Sequence, residues 1–281
     1  MDKEGNIITA HGEVPYTLVK IKQNGNIDTL YHTKDYKDFF GGNCAWSAST
    51  GKIVYGLREH KYLRELDLNG NQKDIGDYQF IWNQTVYVAP EGTIYATEIG
   101  RDNGCIVKID SNGKSSIIAK NLITKLYREK DIHNDILLGI TEGDSGHIYV
   151  AETAGKRIVK ILSNGQNETF YKSEKNWMPT AIDFFSGEAY IFEYKDGGEL
   201  IGPRIVKIDE NGSRSVIFNY DTYKKGEVLA FGKKRNNKMF FGISGLILIA
   251  ISIIQIKRFG IFSNKNGKRI ILNELNKKIE T

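Results

Sequence analysis

The side chains that could bind or transform a ligand cluster between short β-prone runs of this 281-residue sequence. His11 and Glu13 end the first such run, and His133 and Asn134 precede a later one. Imidazole and carboxylate groups are common metal ligands, so these positions would suit a divalent cation such as calcium or zinc. Taken singly, His11 and His133 also fit ordinary polar loop positions. The residues expected to form a ligand-binding face are His11, Glu13, Asn43, Asn83, His133, Asn134, Trp177 and Glu193.

Three glutamates share one register and suggest a structural role. Glu98, Glu152 and Glu193 close the segments Tyr-Ala-Thr-Glu, Tyr-Val-Ala-Glu and Tyr-Ile-Phe-Glu. An acid that recurs at the same place in successive units is expected to cap loop amides rather than to carry out chemistry. The same register in the first unit holds His11, and this departure makes His11 the more suggestive position.

An internal repeat supplies the elements that position these residues. Five segments follow one pattern: aliphatic, variable, polar, aliphatic, two variable residues, then Asn-Gly. The glycines of these pairs recur at intervals of 45, 43, 52 and 47 residues. Asn-Gly between two β-prone runs predicts a type I′ hairpin turn, in which both residues have positive φ. The five glycines are Gly25, Gly70, Gly113, Gly165 and Gly212.

Each repeat contains further β-prone runs. A glycine-initiated run precedes every segment, and another apolar run precedes the last four of these. Each unit is therefore predicted to hold four strands, A to D, and such units at a period of ~40–50 residues are typical of β-propeller blades. The predicted fold class is all-β. In such a meander the D–A and B–C connections, which carry the eight residues above, lie at one end, here called the loop face. The Asn-Gly turns lie at the opposite end, the turn face.

Residues 146–161 (Gly-His-Ile-Tyr-Val-Ala-Glu-Thr-Ala-Gly-Lys-Arg-Ile-Val-Lys-Ile) resemble an NHL repeat. The blades of that family read Gly-Asn-Ile-Tyr-Val-Ala-Asp, followed by Arg-Ile and a turn. Residues 1–232 are similar to the NHL and SMP-30/gluconolactonase-like superfamily of six-bladed propellers. The lactonases of the SMP-30 group hold a divalent metal with a first-blade carboxylate, with asparagines of middle blades and with an aspartate. The resemblance implies such parts for Glu13, Asn43, Asn83 and Asn134.

Two functions of different class remain open. One is a module that binds a small molecule, a glycan or a protein through the loop face. The other is a metal-dependent hydrolase of lactones or esters at the same face. The sequence contains no Gly-x-Ser-x-Gly elbow, Walker A loop or His-Glu-x-x-His helix. We favour the binding module because it requires only loops on a rigid scaffold.

The number of blades is not settled by the repeats. Five blades are visible, and the first begins at strand B because only four residues precede Gly5. Residues 226–232 would close the ring if they supply the missing strand A. Alternatively, an N-terminal blade and an export signal are missing. We favour the second explanation because the resembling superfamily is six-bladed.

A membrane-spanning helix is predicted near the C-terminus. Residues 239–256 form an uncharged run of 18 residues with basic residues at both ends. As a helix this run would be about 27 Å long, close to the ~30 Å thickness of the hydrocarbon core. The chain then divides into a propeller (1–232), a basic linker (233–238), a single-pass helix (239–256) and a basic tail (257–281). The propeller would be extracytoplasmic if an upstream signal is missing, and cytoplasmic if Met1 is the authentic start.

The charge distribution argues against a nucleic-acid partner. Residues 233–281 hold eleven basic and two acidic side chains, a net charge of +9, which leaves −4 for residues 1–232. A nucleic-acid-binding domain needs a basic face to neutralise phosphates, and here the excess lies in the tail. Cys44 and Cys105 permit at most one disulfide and are too few for a zinc-finger site.

Overall fold

Five antiparallel sheets follow one another along the chain in the computed structural model. It describes residues 4–11, 16–34, 44–56, 60–67, 69–124, 136–143, 145–174, 176–195 and 201–224. Blade 1 contains β1 (Ile7–His11), β2 (Tyr16–Ile21) and β3 (Ile27–Thr33). Blade 2 contains β4 (Cys44–Ser47), β5 (Lys52–Tyr55), β6 (Leu63–Leu66) and β7 (Gln72–Ile75). Blade 3 contains β8 (Val86–Val88), β9 (Ile94–Glu98), β10 (Cys105–Ile109) and β11 (Ser115–Ala119).

The last two blades complete the set. Blade 4 contains β12 (Leu137–Glu142), β13 (Ile148–Glu152), β14 (Arg157–Ile161) and β15 (Asn167–Lys172). Blade 5 contains β16 (Trp177–Phe185), β17 (Glu188–Lys195), β18 (Ile201–Ile208) and β19 (Arg214–Asn219), followed by the short helix α1 (Tyr220–Lys224). Every sheet is a simple meander, and the first strands β4, β8, β12 and β16 lie beside one another in succession. Within the described residues, this arrangement confirms an all-β propeller with five blades, the first of which begins at strand B.

Apolar clusters between consecutive blades hold the propeller together. In β9, Ile94 and Ala96 pack toward blade 2, whereas Tyr95 between them packs toward blade 4. In β13, Val150 packs toward blade 3 and Tyr149 toward blade 5. Successive side chains of a strand point to opposite faces, and both faces are covered here. This double coverage explains why β9 and β13 are buried at every residue rather than at alternate residues.

The Asn-Gly turns differ from the predicted type I′ form. Positive φ occurs at the glycines, for example +87° at Gly70 and +80° at Gly113, but not at the asparagines before them. In the third blade, the amide of Gly113 donates to the carbonyl of Asp110 at 2.9 Å, and the amide of Asp110 donates to the carbonyl of Lys114 at 3.0 Å. This is a type I turn followed by a left-handed glycine, the usual three-residue hairpin loop. The turns were thus placed correctly and assigned to the wrong type.

The predicted membrane helix, residues 239–256, lies outside the described residues, as does the segment 226–232. Within the residues that are described, no helix is long and apolar enough to span a bilayer. Cys44 and Cys105 are both free thiols, and Cys105 is buried.

Candidate ligand-binding face

The loop face is described in part, through residues 78–85, 99–104, 120–124, 153–156, 173–174 and 176. Of the eight predicted site residues, Asn83 precedes β8, Trp177 begins β16, and Glu193 lies in β17. For His11 only the backbone is described, at the end of β1 opposite Thr17. The predicted residues that lie outside the described part are Glu13, Asn43, His133 and Asn134.

Glu98 fixes the D–A loop that leads into blade 3. Its fully buried carboxylate accepts hydrogen bonds from the amides of Ile81 at 2.6 Å, Trp82 at 3.2 Å and Gly100 at 2.5 Å. The predicted capping role of this register is therefore confirmed for Glu98. Opposite it in the β-ladder stands Cys105, whose thiol has a pKa raised by burial to about 11.

Glu152 does the same for the loop that leads into blade 4. Its fully buried carboxylate accepts hydrogen bonds from the amide and the hydroxyl of Thr124. The cross-strand neighbour Arg157 donates to it from Nε at 2.5 Å. The same guanidinium also donates to the carbonyl of Leu122 at 3.3 Å. A buried carboxylate is thus paired with a cation, and both are tied to the loop.

Glu193 and Trp177 meet through a buried arginine in blade 5. Glu193 accepts hydrogen bonds from Arg204 Nε at 2.6 Å and from the hydroxyl of Ser173 at 2.5 Å. The guanidinium of Arg204 lies 4.2 Å from the ring centroid of Trp177, a cation–π distance, and donates to Glu174 at 3.1 Å. Two of the predicted site residues are therefore brought together, and both are engaged in holding the loop.

The charges of this cluster shift the titration of its members. Burial alone would lower the pKa of Arg204, but its hydrogen bond to Glu193 and the charge of Glu193 outweigh burial and raise that pKa. Burial, reinforced by the negative charge of Glu193, raises the pKa of the nearby Tyr171 hydroxyl. Arg204 therefore stays charged and Tyr171 stays neutral across the physiological range.

Asn83 lies apart from this cluster, at the contact between blades 2 and 3. Its Nδ2 donates to the carbonyls of Thr85 at 3.0 Å and Thr97 at 2.8 Å, and only 6% of the residue is exposed. Its Oδ1 faces Gly56, where a Cβ atom would come within 2.0 Å of it. Among the residues that the structure describes, no group of three His, Cys, Asp or Glu side chains could hold a metal ion. Asn83 is the one predicted metal ligand that falls in this described part.

The sequence interpretation missed Gln84, which links two blades. Its Oε1 accepts hydrogen bonds from the amides of Ile136 and Leu137, each at 2.9 Å, so the loop before β8 is bound to the start of β12. Arg157 and Arg204 were also missed. Their signal was the arginine directly before Ile-Val-Lys-Ile in the fourth and fifth repeats.

The pinned loop before β8 presents an apolar surface. Ile81 is 55% exposed although both its own amide and that of Trp82 are held by Glu98. Trp82 beside it is half-buried, and Gly100 lies under Ile81, where a Cβ atom would come within 2.5 Å of the isoleucine side chain. A side chain on a backbone that is already held in place can contact a ligand without ordering the loop.

Comparison with known proteins shows likeness in structure only. No family profile and no curated protein matches the sequence. A nidogen/laminin complex contains a chain that is 14% identical, with a TM-score of 0.55, and the match covers 76% of this chain and 80% of that one. A streptogramin B lyase is 16% identical with a TM-score of 0.54, covering 76% and 65% of the two chains. A putative gluconolactonase is 11% identical with a TM-score of 0.50, covering 71% and 69%.

These proteins differ in what their names describe, while their propellers are alike. This chain spans 62% of the length of the virginiamycin B lyase from Staphylococcus aureus, another structure that it matches. At such low identity, shared architecture is compatible with unrelated activities. The comparisons therefore establish a β-propeller with gluconolactonase-like, lyase and nidogen neighbours, and they establish the fold alone.

Proposed function

We propose that this propeller binds a small molecule, a glycan or a protein through its loop face. The observation that carries the proposal is that the buried carboxylates of Glu98, Glu152 and Glu193 hold the described parts of three successive D–A loops. A surface that is ordered before the ligand arrives loses less conformational entropy on binding. Such pre-organisation favours recognition.

The carboxylates of these loops are poorly suited to acid–base chemistry. Glu98, Glu152 and Glu193 are each 0% exposed and accept hydrogen bonds from loop or strand groups. A general acid or base must reach the proton that it transfers. In this part of the loop face, the exposed Ile81 and its neighbour Trp82 are the side chains that a ligand can contact.

The second candidate is a metal-dependent hydrolase of lactones or esters. Glu13, Asn43, Asn83 and Asn134 would hold a calcium or zinc ion, which would polarise an ester carbonyl or lower the pKa of a bound water. The favouring observation is the burial of Asn83 at the start of blade 3, on the loop face. Elemental analysis of the purified protein separates the two candidates. A stoichiometric metal that is lost in the Glu13→Gln, Asn134→Ala double variant would favour the hydrolase.

The binding face itself is tested with two matched variants. Ile81→Asp places a charge on the loop face, and Ile27→Asp places one beside the turn face, where Ile27 is 64% exposed. Each variant is compared with the unmodified chain on a glycan array, in a small-molecule thermal-shift screen and by photo-crosslinking from position 81 or 27. We expect binding to be lost only in Ile81→Asp, and adducts only from position 81. Binding that survives Ile81→Asp but not Ile27→Asp would refute the assignment of the face.

The proposal includes the number of blades and the attachment of the propeller to a membrane. The complete protein would have six blades, and residues 239–256 would anchor it in a membrane with the propeller outside the cytoplasm. Support comes from the apolar run itself, because burial of its surface in lipid does not depend on salt or pH. The full chain should remain in the membrane pellet after carbonate washing. Its release by carbonate would contradict the anchor without affecting the binding proposal.

A further inference from the structure

The five C–D turns share one backbone, in which an asparagine side chain directly precedes a glycine amide. A sixth Asn-Gly pair of the described residues, Asn103-Gly104, lies in the B–C loop of blade 3 and differs from them, because Asn103 itself has a φ of +51° and its Nδ2 donates to the carbonyl of Ile123 at 2.6 Å. All five glycines have φ between +79° and +87°, and in each turn the glycine amide donates to the carbonyl three residues earlier at 2.9–3.1 Å. All five asparagines are exposed to solvent. The backbone nitrogen of a glycine that follows asparagine is sterically open to the side-chain amide carbon. The backbone alone does not distinguish the five turns.

The asparagine side chains divide the turns into two kinds. Asn24 Oδ1 accepts the amide of Asn26 at 3.0 Å, and Asn164 Oδ1 accepts the amide of Gln166 at 3.0 Å. Asn164 also donates from Nδ2 to the Gln166 side chain at 3.0 Å. In these two turns the carboxamide is therefore held in place.

In the other three turns an aspartate caps the backbone instead. Asp110 Oδ1 accepts the amides of Asn112 and Lys114, each at 2.9 Å. Asp67 and Asp209 accept the corresponding amides of their own turns at 2.8–2.9 Å. In these turns the aspartate accepts the amides, and the asparagine side chain does not. Within the described parts of the chain, no hydrogen bond holds the carboxamides of Asn69, Asn112 and Asn211.

We propose that Asn69, Asn112 and Asn211 are sites of spontaneous deamidation, and that Asn24 and Asn164 are protected although they belong to the same dipeptide. The glycine nitrogen forms a bond to the asparagine Cγ, the bond from Cγ to the side-chain nitrogen breaks, and ammonia leaves with the proton of the glycine amide. The resulting succinimide then takes up one water molecule and opens to aspartate or isoaspartate. This inference is independent of the proposed function.

Each conversion changes the turn in two ways. A neutral amide becomes a carboxylate two residues from the aspartate that caps the same turn, so like charges are brought close together. The isoaspartate product also lengthens the backbone by one carbon between the asparagine and the glycine, where the loop length sets the strand register. The turn face would therefore gain negative charge while the loop face stays unchanged.

Two turns that differ at two residues provide the test. Residues 109–114 read Ile-Asp-Ser-Asn-Gly-Lys, and residues 161–166 read Ile-Leu-Ser-Asn-Gly-Gln. The double change Leu162→Asp, Gln166→Lys makes the fourth turn identical to the third and removes the side chain that accepts from Asn164 Nδ2. The double change Asp110→Leu, Lys114→Gln makes the reverse replacement. The full chain and both variants are kept at neutral pH and 37 °C, and conversion at each asparagine is followed by peptide mass spectrometry. The same chains in urea give the intrinsic rate of each site.

Relative to the rates in urea, we expect conversion at Asn24 and Asn164 to be about 2- to 10-fold slower than at the other three sites, the factor that one hydrogen bond supplies. The Leu162→Asp, Gln166→Lys variant should raise the rate at Asn164 to that at Asn112, and the Asp110→Leu, Lys114→Gln variant should lower the rate at Asn112. Equal normalised rates at all five sites, or an unchanged rate at Asn164 in the folded Leu162→Asp, Gln166→Lys variant, would overturn the proposal. Should the Asp110→Leu, Lys114→Gln variant fail to fold, the order of rates in the unmodified chain and the result for the other variant still decide it.

Discussion

Alanine in place of Gly165 should destabilise the protein more than alanine in place of Gly212. Both glycines close an Asn-Gly turn, with φ of +82° and +79°. Forcing an L residue into this left-handed region costs roughly 1–2 kcal/mol at either site. At Gly165 the new Cβ would also lie 2.8 Å from the carbonyl oxygen of Ile118 in blade 3, whereas nothing lies within 4 Å at Gly212. A backbone oxygen cannot rotate away, so we add about 1–3 kcal/mol, the usual cost of overpacking.

The two variants are compared by urea unfolding of the full chain, followed by tryptophan fluorescence. The expected losses in the free energy of unfolding are about 2–5 kcal/mol for Gly165→Ala and about 1–2 kcal/mol for Gly212→Ala. Gly212→Ala is the control, since it carries the cost of positive φ without the contact. Equal losses would show that the fourth turn does not press against blade 3. No loss in either variant would refute the left-handed turn itself.

Three further predictions concern side chains. Arg204→Met leaves the buried Glu193 without its cation and should lower the free energy of unfolding by about 3–5 kcal/mol. The Glu193→Gln, Arg204→Met double variant should lose less in the same urea assay. A double variant as unstable as the single one would contradict the pairing. At pH 8 about one Cys105 thiol in a thousand should be ionised, given its pKa of about 11, so Ellman's reagent should reach it only after unfolding. Rapid native labelling mapped to Cys105 would contradict this. Hydrogen bonds from Asn71 lower the pKa of Asp67. The Asp67 carboxylate therefore stabilises the fold at pH values above its unfolded pKa, and this contribution is lost as the pH falls through its folded pKa. Asp67→Asn should weaken the dependence of the urea midpoint on pH between about 5 and 2.

The blades were predictable because the turn residues that separate their strands are local sequence signals. Each strand B follows a glycine, and each C–D hairpin carries Asn-Gly, so the order and approximate ends of the strands follow from neighbouring residues. The turn type was wrong because a second local interaction competes. In three turns an aspartate such as Asp110 holds the following amides, and in the other two the asparagine Oδ1 accepts the amide after the glycine. Both interactions leave positive φ to the glycine alone.

The candidate site was less accessible to sequence reasoning. The capping role of Glu98 followed from its repeated register, but the partners of Glu152 and Glu193 did not. Arg157 lies five residues after Glu152, because β13 ends at Glu152 and β14 begins at Arg157. Arg204 lies eleven residues after Glu193, because β17 and β18 extend beyond this pair to Lys195 and Ile201. Cross-strand pairs at unequal separations leave no constant spacing in the sequence. The link from Gln84 to blade 4 spans more than fifty residues and depends wholly on the ring-like order of the blades.

The two-sided packing of strand B has a consequence for how damage spreads through the molecule. Tyr149 and Val150 are adjacent in the chain, yet the first contacts blade 5, with Phe184 at 4.6 Å between ring centroids, and the second contacts blade 3. Neighbouring blades are therefore coupled energetically through the side chains of strand B. An interior blade that loses its packing uncovers an apolar side of both its neighbours at once. Cooperativity of this kind resembles that of a linear repeat array, in which stability resides in the interfaces between units.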